Sequence, residues 1–83
     1  MDWNAFAKAK EFWKEEKDNS VLLSLMADYE RESVYALKEC NSDRYEEKNT
    51  NAFAIRMVLL DRLNEADKLK NAETPEEKKE ETP

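Results

Sequence analysis

Glycine and histidine are absent from this chain, proline occurs only as Pro75 and Pro83, and Cys40 is the single cysteine. The lack of glycine disfavours β-rich folds, because tight hairpin turns need residues that adopt positive φ. One cysteine excludes an intrachain disulfide. Without histidine or a second thiol, a closed nitrogen and sulfur shell for a metal is not available. We therefore expect neither a metal nor any other cofactor.

The residues that are abundant favour helices. Alanine, leucine, glutamate, lysine and arginine are the strongest helix formers, and they dominate the chain. The length of 83 residues allows one domain. A helical domain of this size buries little surface, so it depends on close helix packing, a partner chain or both. The sequence therefore predicts an all-α fold.

The charge of the chain limits its partners. A net charge of −6 disfavours binding to nucleic-acid backbones and to anionic membranes. Residues 72–83 carry half of it, with five glutamates against two lysines. No apolar run approaches the roughly 18 residues needed to span a bilayer, and the first residues lack the basic start of a signal peptide. With one free thiol, these features lead us to expect a cytoplasmic protein.

The first predicted helix covers residues 2–17 and is rich in aromatic side chains. Trp3, Phe6 and Trp13 recur at near-helical spacing and form one apolar face. These rings either complete the chain's own core or anchor a partner, since tryptophan is enriched at both places. Residues 18–20, Asp-Asn-Ser, favour a helix break, although a continuous helix is the alternative.

The second predicted helix covers residues 20–40 and carries a heptad seam. Its members follow a spacing of four and three residues: Leu22, Met26, Tyr29, Ser33, Ala36 and Cys40. The seam assigns Cys40 a structural role as a small buried residue. The turn at 41–43 then leads into a third helix, which we expect to be capped by Asp43 or Ser42, with Glu46 as the reciprocal acid.

The third predicted helix, residues 43–71, contains an apolar run from Ala52 to Leu63 with more surface than one neighbour can cover. A first stripe should face the second helix, with Tyr29 near Ile55, Leu25 near Leu59 and Leu22 near Leu63; its members are Ala52, Ile55, Leu59, Leu63 and Ala66. A second stripe, Phe53, Met57 and Leu60, is covered either by the first helix or by another chain.

Arg56 interrupts the apolar run. Its guanidinium either pairs within the hairpin, with Glu32 or Asp28, or offers its planar fork to a partner's carboxylate. The acids around the turn, Asp43 and Glu46 among them, are best explained as helix caps that complement the helix dipole. No pairing of a nucleophile with a base is present, so the pattern does not predict an enzyme.

A family resemblance extends over about residues 20–70. The segments 37–46 and 54–60, which read LKECNSDRYE and AIRMVLL, resemble those of small helical-hairpin proteins encoded in the structural gene regions of tailed bacteriophages. The resemblance implies a virion or assembly accessory protein without enzymatic activity, in the host cytoplasm or the virion. It does not extend to the aromatic first helix or to the acidic end of the chain.

The sequence thus predicts one helical domain at residues 1–71 and a disordered acidic tail at 72–83. The predicted function is protein–protein interaction or assembly, with a protein partner or a homo-oligomer and no direct contact to nucleic acid or membrane. The alternative is a small acidic inhibitor of a nucleic-acid-handling host protein. The candidate partner-binding residues are Phe53, Met57, Leu60, Arg56, Trp3, Phe6 and Trp13.

Overall fold

Three helices make up the fold in a computed structural model that describes residues 1–73, with side chains to residue 70. They are α1 (Trp3–Trp13), α2 (Asn19–Lys38) and α3 (Ser42–Glu73). The described residues contain no strand, which confirms the all-α prediction of a helical hairpin with an additional N-terminal helix. Residues 74–83, which hold most of the predicted acidic tail, lie outside the described residues.

The connection between α1 and α2 comes earlier than predicted. The carboxylate of Asp2 caps α1 by accepting the backbone N–H groups of Asn4 and Ala5, but α1 ends at Trp13 rather than near residue 17. Asp18 then caps α2 by accepting the Ser20 N–H at 2.9 Å. The hydroxyl of Ser20 also donates to this carboxylate, and that bond is the main cause that lowers the pKa of Asp18.

The turn between α2 and α3 corrects the prediction for Cys40. The Cys40 N–H donates to the Leu37 carbonyl and the Asn41 N–H to the Ala36 carbonyl, which is the Schellman arrangement that ends a helix. Cys40 has a φ of 56°, in the left-handed region, and its side chain is exposed rather than buried in the seam. The predicted cap of α3 was also wrong, because the Asn41 side chain accepts the Arg44 N–H at 3.1 Å.

Helix α3 is the centre of the fold, with α2 against one side and α1 against the other. The core is formed by Leu22 of α2 with Ile55 and Val58 of α3. Thr50 is also buried, although it lies roughly 140° around α3 from Ile55. The side of α3 that carries Thr50 is lined by Asp2, Ala5 and Ala9, so α1 covers it. No residue within α1 is itself fully buried.

Most residues of the predicted hairpin interface lie in or against the core. Leu22 and Ile55 are buried in it, and Leu25, Tyr29 and Leu59 pack against it. Leu63 departs from the prediction, because 61% of its surface is exposed and it does not lie beneath α2. The polar Arg62 occupies the junction instead, so the apolar interface between α2 and α3 ends about one turn earlier than expected.

Candidate interaction surface

The second stripe of α3 is divided between a covered end and an open end. The Phe6 ring of α1 lies 5.2 Å from the Phe53 ring, centroid to centroid. Met57 is half-buried, whereas Leu60 is exposed. Helix α1 therefore covers Phe53 within the same chain, and of the three stripe residues only Leu60 is presented to solvent.

Trp13, at the end of α1, contacts both α2 and α3. Its indole Nε1 donates to Asn51 Oδ1 at 3.0 Å, and its ring meets the Tyr29 ring edge-on at 6.0 Å. Burial, together with the nearby carboxylate of Glu47, raises the pKa of the Tyr29 hydroxyl. Trp13 thus contributes to the chain's own packing, and the two tryptophans of α1 have different environments.

Trp3 lies at the other end of α1 and is 65% exposed. Its ring meets Phe6 edge-on at 5.7 Å. It lines a groove that continues over Phe53 to Glu30 of α2 and Arg56 of α3. Trp3 therefore lies at the edge of the hairpin face that contains Glu30 and Arg56.

Arg56 pairs within the hairpin, but with Glu30 rather than with either predicted partner. The carboxylate of Glu32 instead pairs with the guanidinium of Arg44, which lies across the turn, at 2.6 Å. Asp28 pairs with a neighbour on its own helix. The side chains of both Glu30 and Arg56 remain about half exposed, so this ion pair is open to solvent.

An unpartnered apolar face surrounds this ion pair. We call it the hairpin flank, and it consists of exposed or half-exposed side chains on α2 and α3: Leu23, Ala27, Glu30, Val34 and Leu37, with Arg56, Leu60 and Leu63. Leu23 and Leu63 line one groove, and the Glu30–Arg56 pair joins the two helices near the middle of the face. The flank therefore runs along one whole side of the hairpin.

Most of the flank was missed by the predictions. Its α2 residues repeat at intervals of four, three, four and three, from Leu23 to Leu37, beside the buried seam. This second heptad pattern is readable in the sequence, and two such patterns on one helix are typical of a helix with two neighbours. Helix α2 packs mainly on α3, and Trp13 of α1 also meets it at Tyr29, which belongs to the buried seam. The side of α2 that carries the second pattern, from Leu23 to Leu37, is thus exposed.

The remaining polar groups do not converge on a site. Among residues 1–73, no three His, Cys, Asp or Glu side chains are grouped as metal ligands. A groove of about 510 Å³ beneath the α1–α2 connection mixes cations with carboxylates, including Lys14 and Glu65. None of the described helices is long and apolar enough to cross a membrane. The flank holds five of the eleven large apolar side chains that are exposed among the described residues.

No family model, no curated protein and no solved structure matches this chain. The resemblance to phage hairpin proteins therefore remains an expectation from the sequence. Any functional inference depends on the chemistry of the surface itself, which offers apolar contact area, one carboxylate and one guanidinium.

Proposed function

We propose that this protein is a non-enzymatic protein–protein interaction module that binds through the hairpin flank. One observation carries the proposal: five large apolar side chains are exposed along one side of a small helical hairpin, namely Leu23, Val34, Leu37, Leu60 and Leu63. Scattered exposed leucines are ordinary on a protein surface, but a contiguous apolar face marks an interaction site.

The charges around the flank suit a protein partner. Glu30 and Arg56 neutralise each other, so the flank carries no net charge although the chain as a whole carries −6. An apolar face with a central ion pair can be buried against another helix at little electrostatic cost, provided that both charges keep hydrogen-bonding partners. Trp3 at the edge adds a large ring of the type enriched at binding hot spots.

We also propose a role in a virion or in its assembly, either in the host cytoplasm or in the particle. This part of the proposal rests on the resemblance of residues 20–70 to phage hairpin proteins. A protein of this kind would act by packing helices against another chain. The flank supplies the helix face that such packing needs, and α1 strengthens the hairpin by covering the opposite side of α3.

The rival proposal, an acidic inhibitor that imitates nucleic acid, has less support. A mimic needs a dense array of carboxylates on one face. In the described residues, several acids instead pair with bases, as in Asp61 with Lys10 at 3.0 Å and Glu32 with Arg44 at 2.6 Å. Binding that weakens steeply with salt, to a basic host protein, would favour this rival over the flank.

Comparative affinity capture tests the proposal. The bait is the full chain, used with a lysate of cells that also express an untagged copy of it. Leu23→Glu with Leu63→Glu introduces two charges into the flank. Val21→Glu with Tyr35→Glu is the matched control, because both of its side chains are exposed apolar positions of α2 away from the flank.

We expect a protein, whether foreign or the untagged copy, to be retained by the wild type and the control and lost with the flank variant. Retention of the same proteins by all three baits would contradict the proposal. Circular dichroism of each bait ensures that a loss of binding is not a loss of helix. Since every substituted side chain is exposed, all three baits should fold.

A further inference from the structure

The α2 part of the hairpin flank is nearly symmetric in position about Glu30. Leu23 lies seven residues before it and Leu37 seven residues after it. Ala27 lies three before and Val34 four after, so a small residue on one side corresponds to a larger one on the other. Because the two leucines are equidistant from Glu30 and the offsets of Ala27 and Val34 differ by one residue, the face meets the requirement for a twofold interface, in which one patch binds its own copy.

From this symmetry, and resting on the proposed function, we propose that the partner of the flank is a second copy of this chain. The two α2 helices run antiparallel across a twofold axis that passes near Glu30. In this arrangement Leu23 of each copy packs on the partner's Leu37, and Ala27 packs near the partner's Val34. The axis also brings Glu30 and Arg56 of both copies together, so each carboxylate has two guanidinium groups within reach.

The size pattern selects the antiparallel orientation. With parallel helices, Ala27 would face the same alanine of the second copy and Val34 the same valine, which leaves a gap at one level and crowding at the next. With antiparallel helices, each small residue faces a larger one, so the distance between the helices stays even. Antiparallel packing also sets the two helix dipoles in the favourable opposed direction.

The charges favour a second copy over a basic partner. The flank is neutral at its centre, because Glu30 is already paired with Arg56. A strongly basic partner would gain little from it. In a dimer of identical copies, the two Glu30 carboxylates and the two Arg56 guanidinium groups can exchange partners. Every charge then stays paired when water is excluded.

The size of the flank sets the expected strength of the dimer. From Leu23 to Leu37 the face is about 21 Å long, at about 1.5 Å per residue, and two helices are about 20 Å wide. The footprint of about 400 Å² for each copy falls in the class of small, transient interfaces. We therefore expect a dimer that forms at micromolar concentrations and exchanges readily.

Cysteine pairing tests the geometry. In a Cys40→Ser background, the full-length variants Leu23→Cys and Leu37→Cys are oxidised separately and as an equal mixture. Each variant carries a single cysteine, so any disulfide must join two chains. We expect the mixture to give at least ten times more mixed disulfide than Val21→Cys with Tyr35→Cys, which have the same spacing on the other side of α2.

Charge exchange tests the central four groups. Glu30→Arg alone and Arg56→Glu alone each place like charges at the axis and should weaken self-association at least tenfold. Mixed together, the two variants should associate at least ten times more tightly than either does alone, because each supplies the charge that the other lacks. Pairing confined to one chain would give no such rescue.

The outcomes separate this inference from the proposed function. Efficient cross-linking of Leu23→Cys with itself would indicate parallel helices and overturn the antiparallel dimer. A mixed disulfide yield no greater than that of the control pair, with no rescue on mixing the charge variants, would overturn the second copy as the partner. In that case a foreign protein lost from the flank variant in the capture experiment would still support the proposed function.

Discussion

The indole N–H of Trp13, the last residue of α1, donates a hydrogen bond to the side-chain oxygen of Asn51 in α3 at 3.0 Å. The two residues are 38 positions apart in sequence. The bond joins the end of α1 to the central helix, where the indole ring meets the Tyr29 ring edge-on. With the Lys10–Asp61 ion pair and the Phe6–Phe53 ring contact, it holds α1 against its own chain.

Trp13→Phe should lower the free energy of unfolding by about 1–2 kcal/mol, because the hydrogen bond to Asn51 is lost and a smaller phenyl ring replaces the indole. Trp3→Phe is the matched control. Trp3 is 65% exposed, so its replacement should change stability by less than about 0.5 kcal/mol. Urea unfolding followed by circular dichroism measures both. Equal losses for the two variants would contradict the different roles of the two tryptophans.

Arg62 of α3 is the polar residue whose substitution should destabilise the α1–α2 connection most. Its guanidinium donates to the Asn19 side chain at 2.6 Å and to the Glu16 carbonyl at 2.6 Å. Arg62→Lys removes the planar fork that makes these bonds together, so we expect a loss of about 1–2 kcal/mol. Thermal unfolding measures it. Arg31→Lys is the control, since Arg31 pairs only along its own helix with Asp28 in the contacts described, and a comparable loss there would count against this assignment.

Cys40→Gly should stabilise the protein by about 0.5–1 kcal/mol. The φ of 56° is unfavourable for a residue with a Cβ atom by roughly 1–2 kcal/mol, and glycine recovers about half of this after its larger entropy in the unfolded chain is subtracted. Cys40→Ala is the control and should leave the strain in place. Chemical unfolding at neutral pH compares them, and a glycine variant less stable than the alanine variant would be inconsistent with the turn described.

The Tyr29 hydroxyl should make the fold sensitive to alkali. Burial first, and the Glu47 carboxylate second, raise its pKa above the ordinary value of 10.0, so the folded state holds this proton more tightly than the unfolded chain does. The resulting stability is complete below about pH 10 and is lost as the pH rises through the folded pKa. Unfolding measured between pH 9 and about 11.5 should show this loss.

Tyr29→Phe should reduce the alkaline loss, because the titrating group is gone while the ring is kept. Tyr35→Phe is the matched control at an exposed ring and should retain the wild-type loss. An equal pH dependence for Tyr29→Phe and the wild type would assign the alkaline sensitivity to other groups.

The sequence was sufficient to predict the helices because their signals are local. Heptad spacing along α2 predicted the buried side of Leu22, Ser33 and Ala36, and the structure buries all three. The error at Cys40 has a local cause as well. A Schellman turn normally marks its left-handed position with glycine, and this chain has none.

The interaction surface was harder to predict because it depends on which helix covers which face. The apolar run from Ala52 to Leu63 indicated surplus surface, but whether α1 covered Phe53 or a partner did was open. The choice is made by contacts distant in sequence, such as Phe6 with Phe53. Once α1 occupies that side, the open face lies on the other flank, around Leu23 and Leu63.

The Glu30–Arg56 pair shows the same limit. Sequence spacing predicted that Arg56 pairs across the hairpin, but it selected Glu32 or Asp28. The rotation of α2 about its axis decides between neighbouring acids, and a difference of two residues turns a side chain by roughly 160°. That rotation follows from how the whole seam packs on α3, which spacing alone does not determine.

Sedimentation velocity from low to high micromolar concentration tests most directly the claim that two copies associate through the hairpin flank. The samples are the wild type, a second flank variant (Leu23→Glu with Leu37→Glu), and the control Val21→Glu with Tyr35→Glu. The wild type and the control should shift from monomer to dimer, while the flank variant stays monomeric with unchanged helix content. A wild type that remains monomeric throughout, or a flank variant that dimerises as the wild type does, would contradict the claim.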